Sequence, residues 1–213
     1  MSQMYRVRAP MKKMPGLQFF KPLGTGSGKG YSIIPDFSVY GLLAVWENEA
    51  AAESFLAGPL HDQFRAHSTE QYHIFMRPTS TRGSWSGFNE WQLTSDTYAY
   101  PHICAITRAT IKKRFAFTFW RMVPRISHEQ NMAEGLLFSK GIGEIPFFEQ
   151  ATFTVWKNTK SMEAFAYQNA HSHAIGVTRR KQGFREEMFT RLKPIKTFGS
   201  WNGENPIGTF NQG

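Results

Sequence analysis

The chain has 213 residues, enough for one large domain or two of about 100 residues each, and either can bury a working core. Hydrophobic residues make up 41% and aromatic ones 15%, with 19 Phe and 6 Trp, which excludes a disordered chain; no apolar run approaches the roughly 20 residues that cross a bilayer, and no secretory leader pattern opens the chain, so a cytoplasmic location is expected. The net charge of +9 favours an acidic partner, whether nucleic acid, an anionic membrane face or an acidic electron carrier, although Lys112-Lys113-Arg114 and Arg179-Arg180-Lys181 are short clusters that a solvated helix face also accommodates.

In chain order, residues 2 to 13 predict a helix, Leu17 to Lys21 and Val39 to Trp46 two strands, Ala50 to Ala66 a helix and Tyr72 to Arg77 a strand. The glycine-rich run Gly24 to Gly30 lacks the Gly-Lys-Ser/Thr ending and following helix of a phosphate-binding loop. In the second half, Ile103 to Ala109 predicts a strand. It contains Cys104, the single cysteine, in a buried setting; one cysteine excludes an internal disulfide and any zinc site built on Cys pairs. A basic, aromatic helix follows from Ile111 towards Arg121, which Pro124 should end, and then a strand over Leu136 to Lys140. After the punctuation at Gly143 to Pro146 comes a strand over Ala151 to Trp156. Asn158 or Thr159 can cap a helix that starts near Ser161 and runs past His171. Arg185 to Thr190 predicts a further helical stretch, on which Glu186-Glu187 reads as a solvated face, and Leu192 to Phe198 a last strand. The order β-α-β-β-α-β is the ferredoxin-like unit. The first half repeats it without the opening strand: either the start codon lies downstream of that strand or the sheet is completed differently. Two such four-stranded sheets, closing face to face, give an α+β protein.

The halves also repeat in sequence. Phe19-Phe20-Lys21-Pro22-Leu23-Gly24 matches Phe138-Ser139-Lys140-Gly141-Ile142-Gly143, and Val45-Trp46-Glu47-Asn48 matches Val155-Trp156-Lys157-Asn158. In each half a Phe follows nine residues after that Trp (Phe55, Phe165) and a His fifteen after it (His61, His171). Pro78 to Gly87 matches Pro194 to Gly203 in Pro, Thr, Gly, Ser, Trp and Gly. The halves divide as 1–95 and 96–213. From first Trp to last, the spacing is 39 residues in one half and 45 in the other, which places about six extra residues around Thr178 to Phe184.

None of the seven histidines forms the His-Glu-x-x-His spacing of a helical zinc site. His171 and His173, two apart on a helix, point away from each other and cannot share a metal. Ala170, Ala174 and Gly176 around His171 would let a flat macrocycle approach and one imidazole reach its iron; an ordinary hydrogen-bonded helix histidine satisfies the same spacing. His61, at the equivalent place, follows Gly58-Pro59 and has Asp62 and Gln63 instead of small neighbours. No nucleophile and base pair stands out, so a bound cofactor would do the hard step of any catalysis.

Met14 to Lys21, Val39 to Trp46, Pro78 to Gly87, Thr107 to Ile111 with Phe119-Trp120 and Val123-Pro124, Lys140 to Glu144 and Ala170-His171 together resemble the spheroidene monooxygenase (acyclic carotenoid 2-ketolase) family across nearly the whole chain. The resemblance implies a dimeric α/β-barrel built from duplicated ferredoxin-like repeats. It implies haem (iron protoporphyrin) held by His171 on a helix of the second repeat, with Ala174, Ile175 and Arg179 lining the cofactor. Arg108, Lys140 and Trp120 become candidates for the catalytic pocket or, for the cations, for propionate contacts. The implied activity is an O2-dependent monooxygenase acting on an apolar carotenoid or terpenoid-like substrate, with electrons from reduced ferredoxin and no nucleic-acid partner. A peripheral membrane contact fits the charge, and exposed sheet edges make a homodimer reasonable. The alternatives are a haem enzyme of dehydratase or peroxidase type, or a non-catalytic haem or lipid carrier.

Overall fold

A computed structural model describes residues 6–28, 30, 32–95, 101–167 and 169–208. The elements run α1 (Arg8–Met11), β1 (Leu17–Gly26), β2 (Pro35–Trp46), α2 (Glu49–Leu56), α3 (Pro59–Ala66) and β3 (Tyr72–Gly83). The second half gives β4 (Ile103–Ile111), α4 (Lys113–Asn131), β5 (Leu136–Ile145), β6 (Glu149–Trp156), α5 (Thr159–Tyr167), α6 (Asn169–Arg180) and β7 (Phe184–Gly199).

All seven strands belong to one antiparallel sheet in the order β2-β1-β5-β6-β4-β7-β3. The second half shows the complete ferredoxin-like order, β5-β6-β4-β7, and among the described residues of the first half no strand stands between β2 and β3. The expected pair of facing four-stranded sheets is therefore replaced by one continuous sheet. β1 pairs with β5 at Gly24↔Gly143 and Thr25↔Ile142, and β7 pairs with β4 on one side and β3 on the other. These two joints fuse the halves and leave β2 and β3 as edges. Leu23, Leu43, Tyr72, Cys104, Val155 and Met188, from all strands but β5, meet in a single core, joined by Phe138 and Ile142 of β5. The sheet must curl around them, and the α+β, duplicated ferredoxin-like barrel is the architecture observed.

Helices cover the outer face. Val7, Met11, Phe55 and Leu60 pack beneath the first half's helices, and Ile103, Ala105, Trp156 and Met162 beneath the second's. Asn48 caps α2 through its side-chain oxygen, which accepts from the Ala51 N–H at 2.9 Å, and Asn158 does the same for Ser161 at 2.9 Å in the second half.

Several boundaries differ from the sequence reading. Of the helix expected over 2–13, residues up to 5 lie outside the described set and Arg8–Met11 is the regular helix. The helix expected over Ala50 to Ala66 breaks at Gly58, which caps α3 ahead of Pro59 at its first position. The helix through His171 is α5 and α6, with residue 168 outside the described residues. Pro124 does not end α4, which continues to Asn131. Proline there lacks only the N–H that would reach the Trp120 carbonyl, and Phe115, Phe119, Met122, Val123 and Ile126 hold one apolar face to the sheet across the gap.

The helix expected at Arg185 to Thr190 is strand. Met188, Thr190 and Leu192 are buried at alternate positions, and β4 and β3 both bond to this segment, so two ladders override the helical propensity of Arg-Glu-Glu-Met. Pro194 sits where the β3–β7 register slips, between Phe75 and Met76, a place where its missing N–H costs no ladder bond. The extra residues of the second half lengthen α6 relative to α3 and add a turn at Gln182 and Gly183.

Candidate active site

The repeated Trp, Phe and His form a ladder of rings in both halves. Trp46 ends β2, and its ring lies 5.3 Å from Phe55 on α2, which meets His61 on α3 at 5.6 Å. Trp156 ends β6 and stacks on Phe165 of α5 at 5.4 Å, and Phe165 meets His171 of α6 at 5.0 Å. Each ladder runs from the sheet's outer face into the helix layer, and each ends in an imidazole with a buried nitrogen that has no hydrogen-bond partner, Nε2 of His61 and Nδ1 of His171.

The two imidazoles differ in surroundings. His61 is engaged at Nδ1 with the Leu56 carbonyl, 3.0 Å away, and its ring lies edge-on to His73 of β3 at 5.1 Å. Burial lowers the pKa of both, and each is lowered further by a neighbouring cation or imidazole. In the second half Phe189 of β7 takes the place in the repeat that His73 has in β3, so no second imidazole is offered from that position, and His171 packs against the Phe165 ring. Burial lowers its pKa and the Glu129 carboxylate on α4 opposes this. His171 is therefore a neutral imidazole near pH 7, the form that ligates a metal. His173 is exposed, as its spacing requires.

The curled sheet's interior holds the other candidates. Cross-strand pairs align Lys140, Phe153 and Ile106, and align Ile142, Ala151 and Arg108, so Arg108 and Lys140 share the inner face. Arg108 is 2% exposed, ion-paired to Glu186, with its guanidinium 5.7 Å from the Trp85 ring centroid. Lys140 reaches Asp36 at 3.4 Å and the Gly28 carbonyl at 3.3 Å, and lies over the Trp201 ring. The structure thus separates the sequence candidates. Arg108 and Lys140 are inside the barrel, while His171, Ala174, Ile175, Arg179 and Trp120 belong to the helix layer outside it.

In that layer Ala174 is buried one turn beyond His171, while Ile175 and Arg179 are exposed; the side chain of Ala170 lies outside the described residues. Trp120 on α4 donates Nε1–H to the Phe147 carbonyl at 3.1 Å.

Sequence reasoning missed the carboxylates. Glu186, read as part of a solvated helix face, is a structural anchor on β7. It accepts from the Ser84 hydroxyl at 2.8 Å, the Ser86 N–H at 3.1 Å and the Gly87 N–H at 2.9 Å, besides Arg108. Burial would raise its pKa, but these donors hold it down at about 2. Glu70 does the same for the second Ser-Trp turn, accepting from Ser200 at 2.7 Å, Asn202 at 2.8 Å and Gly203 at 2.7 Å. The signal was present: each Glu stands eight residues before the repeated Pro78 or Pro194. Glu144 ties Lys21 at 2.6 Å to the Trp85 indole N–H at 2.6 Å.

Among the described residues no cluster of three or more His, Cys, Asp or Glu could hold a bare metal ion. An iron already bound in a macrocycle needs only one or two protein ligands. His171 fits that demand in its surroundings: the side chain is half-buried, its Nδ1 is buried and has no hydrogen-bond partner, and a small residue stands one turn away.

No protein-family model matches the chain. Spheroidene monooxygenase of Rhodobacter capsulatus is 36% identical over 213 residues, covering 98% of this chain and 88% of that protein. Spheroidene monooxygenase of Cereibacter sphaeroides is 34% identical over 211 residues, covering 98% of this chain and 65% of its own longer length. Among solved structures, a candidate monooxygenase from Lactobacillus acidophilus is similar over 92% of this chain and 83% of that one, at 13% identity and a TM-score of 0.42; at that identity its chemistry does not carry across.

Proposed function

The chain belongs to the spheroidene monooxygenase family, and from that membership we propose a haem-dependent monooxygenase that places oxygen from O2 on an apolar polyene of the carotenoid class. Identity of 36% and 34% to two spheroidene monooxygenases, each across 98% of this chain, supports the reaction class. The unpartnered imidazole nitrogen at the end of the second ring ladder supports the cofactor.

His171 would hold the iron, which when bound supplies the activation of O2. The Trp156–Phe165–His171 ladder fixes the imidazole against the sheet and keeps water from its buried nitrogen. Ala174 is a small side chain on the inward side of α6, and Arg179, exposed two turns beyond His171, offers a cation to a propionate carboxylate. Arg108 and Lys140 act from the other face of the sheet. Held by Glu186 and Asp36, they set the barrel wall and the two Ser-Trp turns rather than touching the reacting centre. Reduced ferredoxin is the electron donor, drawn to the cationic surface.

The absorption spectrum of the purified protein, oxidised and then reduced under CO, tests this on the wild type, His171→Ala and His61→Ala. A Soret band lost only in His171→Ala supports the reading and leads to O2-dependent turnover of acyclic carotenoids, which raised salt should slow when ferredoxin is the donor. A wild type that stays colourless after haem is supplied overturns the cofactor, and a band lost only in His61→Ala moves the site to the first half. Haem binding with a product formed in the absence of O2 and reductant would instead indicate a dehydratase.

A further inference from the structure

We propose that the outer stripe of α4, together with the β5–β6 turn, is a docking surface for an anionic lipid bilayer. Lys113, Phe117, Arg121 and Pro124 follow one another at helical spacing on the exposed side of α4, with Trp120 half-buried beside them. Phe117 is 75% exposed, and Ile145 and Phe147 at the adjoining turn are 51% and 45% exposed. The turn is fastened to the helix: besides the indole hydrogen bond, the rings of Trp120 and Phe147 meet edge-on at 6.0 Å. The Arg121 guanidinium lies 5.5 Å from the Phe117 ring centroid.

Two features of this surface cost free energy in water. Phe147 has φ +70°, a left-handed conformation that is strained for a bulky residue, and the chain uses it at a position whose ring is turned partly to solvent. The first turn of α4 carries Lys113 and Arg114 and no carboxylate, cations placed against the positive end of the helix dipole. From Lys112 to His128 the sequence has five Lys and Arg and no Asp or Glu. Apart from Arg125, which pairs with Glu129 at 3.0 Å, these cations stand among outward apolar rings, and that combination matches an interface whose headgroups are anionic and whose next layer is hydrocarbon. An acidic protein would satisfy the cations but leave the rings without an apolar layer. The surface stands whether or not the haem reading holds.

Co-sedimentation with vesicles of phosphatidylcholine, with and without phosphatidylglycerol, tests it. The wild type should bind the anionic vesicles, lose them as salt rises, and show a blue-shifted tryptophan emission when bound. Phe117→Ser and Phe147→Asn should each weaken binding about tenfold, and Arg114→Gln and Arg121→Gln about fivefold each. Phe37→Ser removes a ring that is 73% exposed on β2 and should leave binding unchanged. Circular dichroism and melting confirm that each variant is folded. Absence of vesicle binding, or equal loss in Phe37→Ser, overturns the proposal. Retention of the wild type by an immobilised acidic ferredoxin without any vesicle binding would assign the stripe to a protein partner and likewise overturn it.

Discussion

Replacing Glu186 by Gln keeps the shape of the side chain and removes its charge from a carboxylate that serves four donors. The folded carboxyl sits at about 2 against an ordinary 4.5, a difference worth roughly 3 kcal/mol. The side chain is 23% exposed, and solvent screening reduces this to about 2 kcal/mol. Because the folded pKa is depressed, that stability is complete above the unfolded value near 4.5 and is lost as pH falls towards 2. The substitution also leaves the buried Arg108 without its counter-charge, so the full loss at neutral pH should be about 2 to 4 kcal/mol. Urea unfolding of both proteins at a series of pH values reads this out. The gap should be widest at neutral pH, with more than half of the Glu186 contribution gone by about pH 3. A variant within about 0.5 kcal/mol of wild type at neutral pH, or a gap that does not narrow on acidification, would refute the account of Glu186 as an ionised anchor.

Gly83→Ala places a Cβ 2.0 Å from the Glu187 carbonyl oxygen at a φ of +81°, and a melting curve should show a loss of about 3 kcal/mol or more. Cys104 is fully buried, and desolvation pushes its thiol pKa up; a thiol reagent should not label the native protein and should label it on denaturation, so rapid native labelling would refute its burial. Asn158→Ala removes the α5 cap and should cost about 1 kcal/mol, with Asn48→Ala in α2 costing a similar amount; urea titration checks both.

The strands other than β7, the Asn158 cap and the Trp–Phe–His repeat were legible because each is a local pattern whose meaning does not depend on distant chain. β7 was not, since Arg185-Glu186-Glu187-Met188 has helical composition and becomes strand only because β4 and β3 flank it. Pro124 misled for a related reason: the apolar face of α4 outweighs one missing hydrogen bond. The division of the candidate residues was invisible to spacing. Arg108 and His171 lie on opposite faces of one sheet, which only strand register reveals. Glu70 and Glu186 could have been found by extending the repeat eight residues ahead of its prolines, but Arg185 and Glu187 made Glu186 resemble an ordinary charged surface, and Glu70 between Thr69 and Gln71 resembled a polar loop.

The two clamped turns also bear on the protein's ancestry. Glu186 belongs to the second half yet holds the Ser-Trp turn of the first, and Glu70 belongs to the first half yet holds the turn of the second. A single half would carry an idle carboxylate and an unheld turn, and two identical halves meeting about a twofold axis would satisfy both at once in an isologous contact. Covalent linkage of such a pair makes the encounter intramolecular and frees the two copies to diverge. His73, whose place in the repeat is taken by Phe189, is one position where they have done so, leaving a pair of imidazoles meeting edge-on in one half and a single one in the other.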